Sequence, residues 1–537
     1  MARDIPRPVS IGMHLLDTWV AAALVPLAVW IVLSGMDDFF LDLVGGWIWL
    51  RGRLPGARRI APPDAAELAA TREKRIAIFV PLWHEHTVIG RMLEHNLAAI
   101  RYREYDFFVG TYPNDDLTME AVRDVEARYP NVRLCLCPHD GPTSKADCLN
   151  WIYQHMLGVE ERTGARYELI VVHDAEDLIH PLELRWLNYY SNEYGMVQIP
   201  VLPLATPARF LTHGVYCDEF AEYQTKDMRA RQALGSFVPS NGVGTGYARW
   251  ALDSLAESNA NRIFDPASLT EDYENGLRLH RMGCPQTFVP IQMLAGEPVA
   301  TREYFPQRLG QALKQRTRWV TGNALQAWER HGWRASPGEV YWFWRDRKGL
   351  IGNPATAVAN LVMLYGAVTW MWSRYTGQPW ALVGIAERIW TGPLLWITMF
   401  FQAVRVSVRA GCVARLYGWR SAAMTPVRVF WANWINCAAT ISAIVRYASA
   451  RIRRRPLVWL KTEHMYPTRA ALDERERSLS LWSAETDDER LDQGLAGHAI
   501  GLSKLRLAIG TARAPTTGDA CVAPTGRTKS SCQTRGK

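Results

Sequence analysis

Glu168-Leu169-Ile170-Val171-Val172-His173-Asp174-Ala175-Glu176-Asp177 passes within a few residues from an unbroken apolar run to a cluster of acids. An apolar run of this length, rich in β-branched residues, reads as a strand buried on both faces, as in a parallel sheet. The carboxylates then emerge at its carboxyl end, where open α/β sheets hold their ligands. Acids this close repel one another unless a cation sits among them. A hard ion such as Mg²⁺ or Mn²⁺ suits such oxygens and would share them with phosphate oxygens of a ligand. The plain alternative is a solvated turn, and the position directly behind a buried strand favours the cation.

Working outward, the same alternation recurs. Arg75–Pro81 is a short apolar strand and Thr87–Ala99 has helical spacing. Asp106–Gly110 and Arg133–Cys137 are further strands, and Thr118–Tyr129 and Lys145–Leu157 are helices. Strand alternating with helix predicts an α/β fold with a mainly parallel sheet and helices on both faces. Each segment that follows a strand is then a candidate site. Glu85 follows the first strand and is placed to touch a nucleoside. Asp115 and Asp116 follow the second and are placed to hydrogen-bond a nucleobase. Lys145, after Gly141-Pro142-Thr143-Ser144, is placed to reach phosphate. Each of these, taken alone, is also an ordinary surface residue. Asn241-Gly242-Val243-Gly244-Thr245-Gly246 is glycine-rich but lacks the strand-to-helix setting of a dinucleotide fingerprint. Cys135 and Cys137 are expected to share one sheet face. The nine Cys form no metal-ligand pattern, which fits reduced thiols.

Two later clusters carry chemistry. In Thr270-Glu271-Asp272, Asp272 is a candidate general base for a hydroxyl, with Glu271 beside it. The alternative is a helix start, with Thr270 as cap and the acids in the first turn. In Gln315-Arg316-Thr317-Arg318-Trp319, Gln315 and Arg318 share a helix face. Arg318 would fork onto diphosphate oxygens, and Trp319 offers a flat face to a sugar. A basic amphipathic helix facing a membrane accounts for the same residues.

The chain carries a net charge of +8 and 23 Trp. Its basic runs, Arg51–Arg59 and Arg451–Arg455, flank apolar segments, which points to a membrane face rather than nucleic acid. Thr18–Ser34 reads as a membrane anchor, and Asp37–Leu50 as a segment lying along the interface. The arginines after it place that side in the cytosol. Tyr341–Trp344 with Arg345, Arg347 and Lys348 reads as interfacial. Ala355–Trp372 and Ile389–Val404 read as spans. Val429–Val445, polar inside and basic at both ends, reads as interfacial. The expected organisation is a membrane anchor and interfacial segment over 1–60 and a cytosolic catalytic domain over 71–335. Interfacial and transmembrane helices follow over 339–466, then a polar tail over 467–537 with a helix-like stretch at Glu489–Gly510.

In this order the motifs resemble the family 2 glycosyltransferases, including cellulose and hyaluronan synthases: Val-Pro with Glu85, an Asp pair, Lys145 before Ala-Asp-Cys-Leu-Asn, DAED, Thr-Glu-Asp, and Gln-x-x-Arg-Trp ahead of membrane helices. PLWHEH, GTYPND, VVHDAEDLIHP, LTEDYE and PLVWLKTEHMYP are similar to the bacterial phage-adsorption protein B group. The resemblance implies a GT-A-type nucleotide-sugar-binding domain embedded between transmembrane helices of the bacterial inner membrane, with the catalytic domain cytoplasmic. It implies Asp115 at uracil, Lys145 near diphosphate, and Asp174 with Glu176 or Asp177 at a Mg²⁺ or Mn²⁺ ion. Asp272 would be the base of an inverting transfer, and Gln315, Arg318 and Trp319 would bind diphosphate and acceptor. The implied partners are a nucleotide-sugar donor, a glycan or lipid-linked acceptor, membrane lipids and an outer-membrane export partner, with no nucleic acid. Single transfer to a polyprenyl phosphate and a non-catalytic phage-receptor scaffold are the alternative functions. Longer members of the group carry a C-terminal domain similar to a cyclic-di-GMP-binding one, of which Glu489–Gly510 would be the start. The DAED departs from the Asp-x-Asp of the synthases, which leaves the second metal contact open between Glu176 and Asp177.

Overall fold

Alternate residues of the first strand part company: Ile76, Ile78 and Val80 enter one core, Ala77 and Phe79 the other. That division is what a sheet covered on both faces requires. The structure, a computed structural model, describes residues 8–53, 63, 65–294, 297–334, 336–380, 382–383, 391–457, 465–468 and 472. The expected polar tail, apart from Pro467, Thr468 and Leu472, lies outside them, as do its helix-like stretch Glu489–Gly510 and the arginines Arg58 and Arg59.

The strands are β1 (Ile76–Pro81), β2 (Tyr105–Thr111), β3 (Val132–Leu136), β4 (Leu169–Val172), β5 (Met196–Gln198), β6 (Val201–Pro203), β7 (Thr245–Ala248) and β8 (Gln286–Phe288). The main sheet has seven strands in the order β3-β2-β1-β4-β7-β5-β8. β1 runs parallel to β2 and β4, with Phe79 level with Phe108 and Val172. β7 alone among the seven is antiparallel to its neighbours, β4 and β5. This mixed but mainly parallel sheet is the GT-A-like architecture expected. Helices Ile89–Ala99 and Glu183–Tyr190 cover one face and Lys145–Thr163 and Arg249–Glu257 the other. Cys135 and Cys137 do share a face, both buried, with Cys137 beside Cys148.

Among the described residues, three helices are long and apolar enough to cross a membrane: Leu16–Arg51, Pro337–Thr376 and Thr391–Tyr417. The N-terminal one differs from expectation. Anchor and interfacial segment form one helix, Pro8–Arg51, about 65 Å long at 1.5 Å per residue. Its length is about twice a ~30 Å hydrocarbon core. The acids that mark its second half in the sequence find cations far along the chain. Asp37 meets Arg345 at 2.6 Å and Lys348 at 2.5 Å, Asp38 meets Arg405 at 3.1 Å, and Asp42 meets Lys226 at 2.5 Å. Paired in this way, the acids give the helix no reason to break. The Tyr341–Trp344 segment and the following span likewise form one helix, Pro337–Thr376, opened by a Ser336–Glu339 capping box. Helix Thr425–Ile452 lies on the catalytic domain: Ala432 and Ile435 pack on Val215, and Arg428 grips Asp218 through two bonds of 2.6 and 2.8 Å.

Candidate active site

β4 delivers the acidic loop, and its members have separate tasks. His173 and Asp177 are fully buried, and the His173 ring nitrogen Nδ1 lies 2.9 Å from Asp177 Oδ2. The same carboxylate oxygen accepts the Asp174 backbone N–H at 2.9 Å. On its far side the imidazole lies 3.2 Å from Glu183. Burial works against a charged imidazole, but Glu183 and Asp177 prevail and push His173 up to about 9. Asp177, predicted as a metal contact, is thus turned inward to hold the loop. Asn96 braces the same loop, donating to Asp177 O at 2.9 Å and accepting from Ile179 N at 3.0 Å. Asp174, by contrast, is part-exposed and faces outward, with Oδ1 2.5 Å from Lys145 Nζ.

Lys145 is the first residue of its helix, capped by Ser144. The preceding loop is pinned by Asn114, which exchanges two 2.8 Å bonds with Gly141. Lys145 also donates to Gly242 O at 3.1 Å. Gly242 belongs to the glycine-rich loop that leads into β7. At φ +82° a Cβ there would stand 2.8 Å from Asp272 Oδ2. Lys145, Ser240, Gly242, Glu271 and Asp272 therefore line one small void.

Glu271 and Asp272 open helix Glu271–Arg281, and Thr270 makes no side-chain cap. Asp272 instead accepts the Tyr273 N–H at 2.8 Å. Burial and the adjacent Asp272 push Glu271 up to about 7 against the pull of Lys145 and Arg318. Burial also raises Asp272, opposed by the same two cations, while Asp174 adds to the rise. Asp174, Lys145, Glu271, Asp272 and Arg318, drawn from four stretches of chain, thus share one electrostatic neighbourhood. The loop before Thr270 is clasped from the Arg318 side. Gln326 accepts from Leu269 N at 3.0 Å and donates to Ala267 O at 2.7 Å, and Gly322 leaves no room for a Cβ against Thr270.

Other predicted residues sit differently. Asp115 is buried and accepts the His84 backbone N–H at 2.6 Å, so it shapes the turn after β1. Glu85 is also buried, its N–H donating to Thr118. Trp319 packs among Tyr216, Phe220 and Phe305. Gln315 keeps a buried amide oxygen without a hydrogen-bond partner, as does Gln311 one turn earlier.

Sequence reasoning missed Glu303. Its carboxyl is held well above the usual range by burial and then by Asp177, Glu176 and Asp174. It lies on Thr301–Glu303, a three-residue strand pairing β6, too short to leave a periodicity. Among the described residues no group of three or more His, Cys, Asp or Glu side chains forms a ready-made metal site. The remaining donors still suit a hard cation. Asp174, Glu176 and Glu303 offer oxygen donors whose mutual repulsion a divalent ion would relieve.

The family profile described as glycosyltransferase like family 2 matches residues 74–322. Bacteriophage adsorption protein B of Escherichia coli (strain K12) and bacteriophage N4 adsorption protein B of Escherichia coli O157:H7 are each 35% identical over 498 residues. The match covers 89% of this chain and 67% of theirs. Among solved structures, the chain is similar to a mannosyltransferase from Pyrobaculum calidifontis in complex with GDP-Man and Mn²⁺, at 16% identity and a TM-score of 0.48, covering 80% of this chain and 99% of that one. S. aureus TarS 1–349 gives 10% identity and a TM-score of 0.30, covering 71% and 92%.

Proposed function

The chain belongs to the bacteriophage adsorption protein B family of family 2 glycosyltransferases, and from that membership we propose a multi-pass inner-membrane enzyme that moves a sugar from a nucleotide-sugar, a UDP-sugar in the first instance, to a hydroxyl of a surface glycan. The observation that carries this reading is the convergence of Asp174, Lys145, Glu271, Asp272 and Arg318 on one site.

Asp272 is the base. It takes the proton of the acceptor hydroxyl as that oxygen attacks the anomeric carbon from the face opposite the nucleoside diphosphate, which inverts the configuration. Burial, with the charge of Asp174, raises the proton affinity of Asp272 and so suits it to that task. Lys145 and Arg318 bind the diphosphate and offset its charge as it leaves. A Mg²⁺ or Mn²⁺ ion held by Asp174, with Glu176 or Glu303, would supply Lewis-acid stabilisation of the same oxygens. Gln311 and Gln315 present amide oxygens to acceptor hydroxyls. The catalytic domain then faces the cytosol, because the cationic partners of Asp37, Asp38 and Asp42 gather on its side of the membrane helices.

The reading is tested by offering the purified protein a panel of UDP- and GDP-sugars with Mn²⁺ and scoring nucleoside diphosphate release. One donor should stand out, and the product should carry the opposite anomeric configuration. A retained configuration removes the single-displacement mechanism.

A further inference from the structure

Lys145 holds a position that a metal-dependent site would give to its ion. Its ammonium lies 2.5 Å from Asp174 Oδ1 and donates to Gly242 O at 3.1 Å. Its side chain is 15% exposed. Three carboxylates from two segments impose their charges on it: Asp174 from the end of β4, and Glu271 and Asp272 from the start of their helix. The backbone around it is built to keep it there. Asn114 fixes the loop in front, Ser144 caps its helix, and Gly242, which has no room for a Cβ against Asp272, turns its carbonyl oxygen to accept the ammonium's hydrogen bond. A cation lodged among carboxylates at such distances is the cheapest way to keep the acids ionised when nothing else is bound.

A divalent ion that binds Asp174 competes with Lys145 for the same carboxylate. In the free enzyme that exchange forfeits an ion pair and leaves two cations side by side. A diphosphate changes the balance, because its oxygens accept the ammonium and release the carboxylate. We infer that Lys145 is the resident counter-cation of the empty site, and that the nucleoside diphosphate admits the divalent ion by drawing Lys145 off Asp174. Metal and nucleotide are then coupled through one side chain, and the coupling is reciprocal. The inference rests on the proposed metal role of Asp174 and adds to it an order: the ion alone binds weakly, and the ion after nucleotide binds tightly.

The test measures free Mn²⁺ by electron paramagnetic resonance, for wild type, Lys145→Met, Lys145→Gln and Lys145→Arg, with and without UDP. Both neutral variants are expected to bind Mn²⁺ alone at least about 10-fold more tightly than wild type, and to show a smaller gain on adding UDP. Lys145→Arg, which keeps the charge, should remain weak without UDP. Either neutral variant that folds suffices. Equal or weaker binding of Mn²⁺ alone by a folded neutral variant overturns the counter-cation and leaves the metal role standing. No binding by any of the proteins, with or without UDP, overturns both.

Discussion

Two clusters of charge lie in this molecule, and they are built on opposite terms. Where the first helix meets the later apolar helices and Lys226 of the α/β domain, Asp37, Asp38 and Asp42 are matched by Arg345, Lys348, Arg405 and Lys226 at 2.5–3.1 Å. In the candidate active site Glu271, Asp272 and Glu303 all have carboxyls raised above their ordinary range, and Lys145 and Arg318 only partly offset them. A matched network holds helices together and asks for nothing more. An acid-rich network holds free energy in reserve for an incoming cation or proton. Both clusters lie along one continuous chain, so the contrast separates what holds the protein together from what it acts with.

Substitutions can sharpen or break that contrast. Arg318→Ala should give the largest loss of rate, about 10²–10³-fold in kcat/KM, because a charge aimed at the leaving group is removed where it counts most. Steady-state assays on purified protein check it, and the thermal midpoint should stay close to that of wild type. Asp38→Asn should do the reverse. Breaking a half-buried multivalent pair costs about 3–5 kcal/mol and leaves Lys348, Arg345 and Arg405 short of a counter-charge. The yield of folded protein in detergent should drop while the rate per folded molecule holds. Normal folded yield in that variant would mean the belt is not structural.

Gly242→Ala sits between the two effects. The added methyl meets Asp272 Oδ2 in a left-handed backbone, so a loss of about 10–100-fold in kcat is expected with donor affinity little changed. Glu271→Gln should have the smallest effect on the maximal rate and a clear one on its pH dependence. The base works when deprotonated, and burial with the charge of Asp174 raises its proton affinity, so activity should rise with pH through a range above that of an ordinary aspartate. Glu271 is the carboxyl that burial and Asp272 push up to about 7, so its removal should erase an inflection near that pH and leave the limb of the base in place. An inflection near 7 that survives in this variant would detach Glu271 from the pH profile.

The fold was legible where local pattern and burial agree. Leu169–Val172 is uniformly apolar because both faces of β4 are covered, and the acids that follow it open directly into the site. The helix at Lys145 shows its start through Ser144. What stayed hidden depended on distant partners. Asp37 and Asp38 read as a break in the first helix because their cations lie some 300 residues away in the chain. Asp177 looks like Asp174 in sequence, and only the imidazole of His173 and the amide of Asp174 show that it faces inward. The loop at Asn241–Gly246 lacked the setting of a dinucleotide fingerprint, yet Gly242 proves to touch both Lys145 and Asp272. Glu303 belongs to a strand too short to be read, paired with residues about 100 positions earlier.

The most direct measurement compares wild type with Asp272→Asn in two assays on the same preparation, sugar transfer and nucleotide-sugar binding. The variant should bind donor about as tightly as wild type and transfer sugar at least about 10³-fold more slowly, since the proton of the acceptor hydroxyl has lost its destination. Transfer at the wild-type rate would contradict the account, because the acids gathered around Lys145 would then have no part in the chemistry.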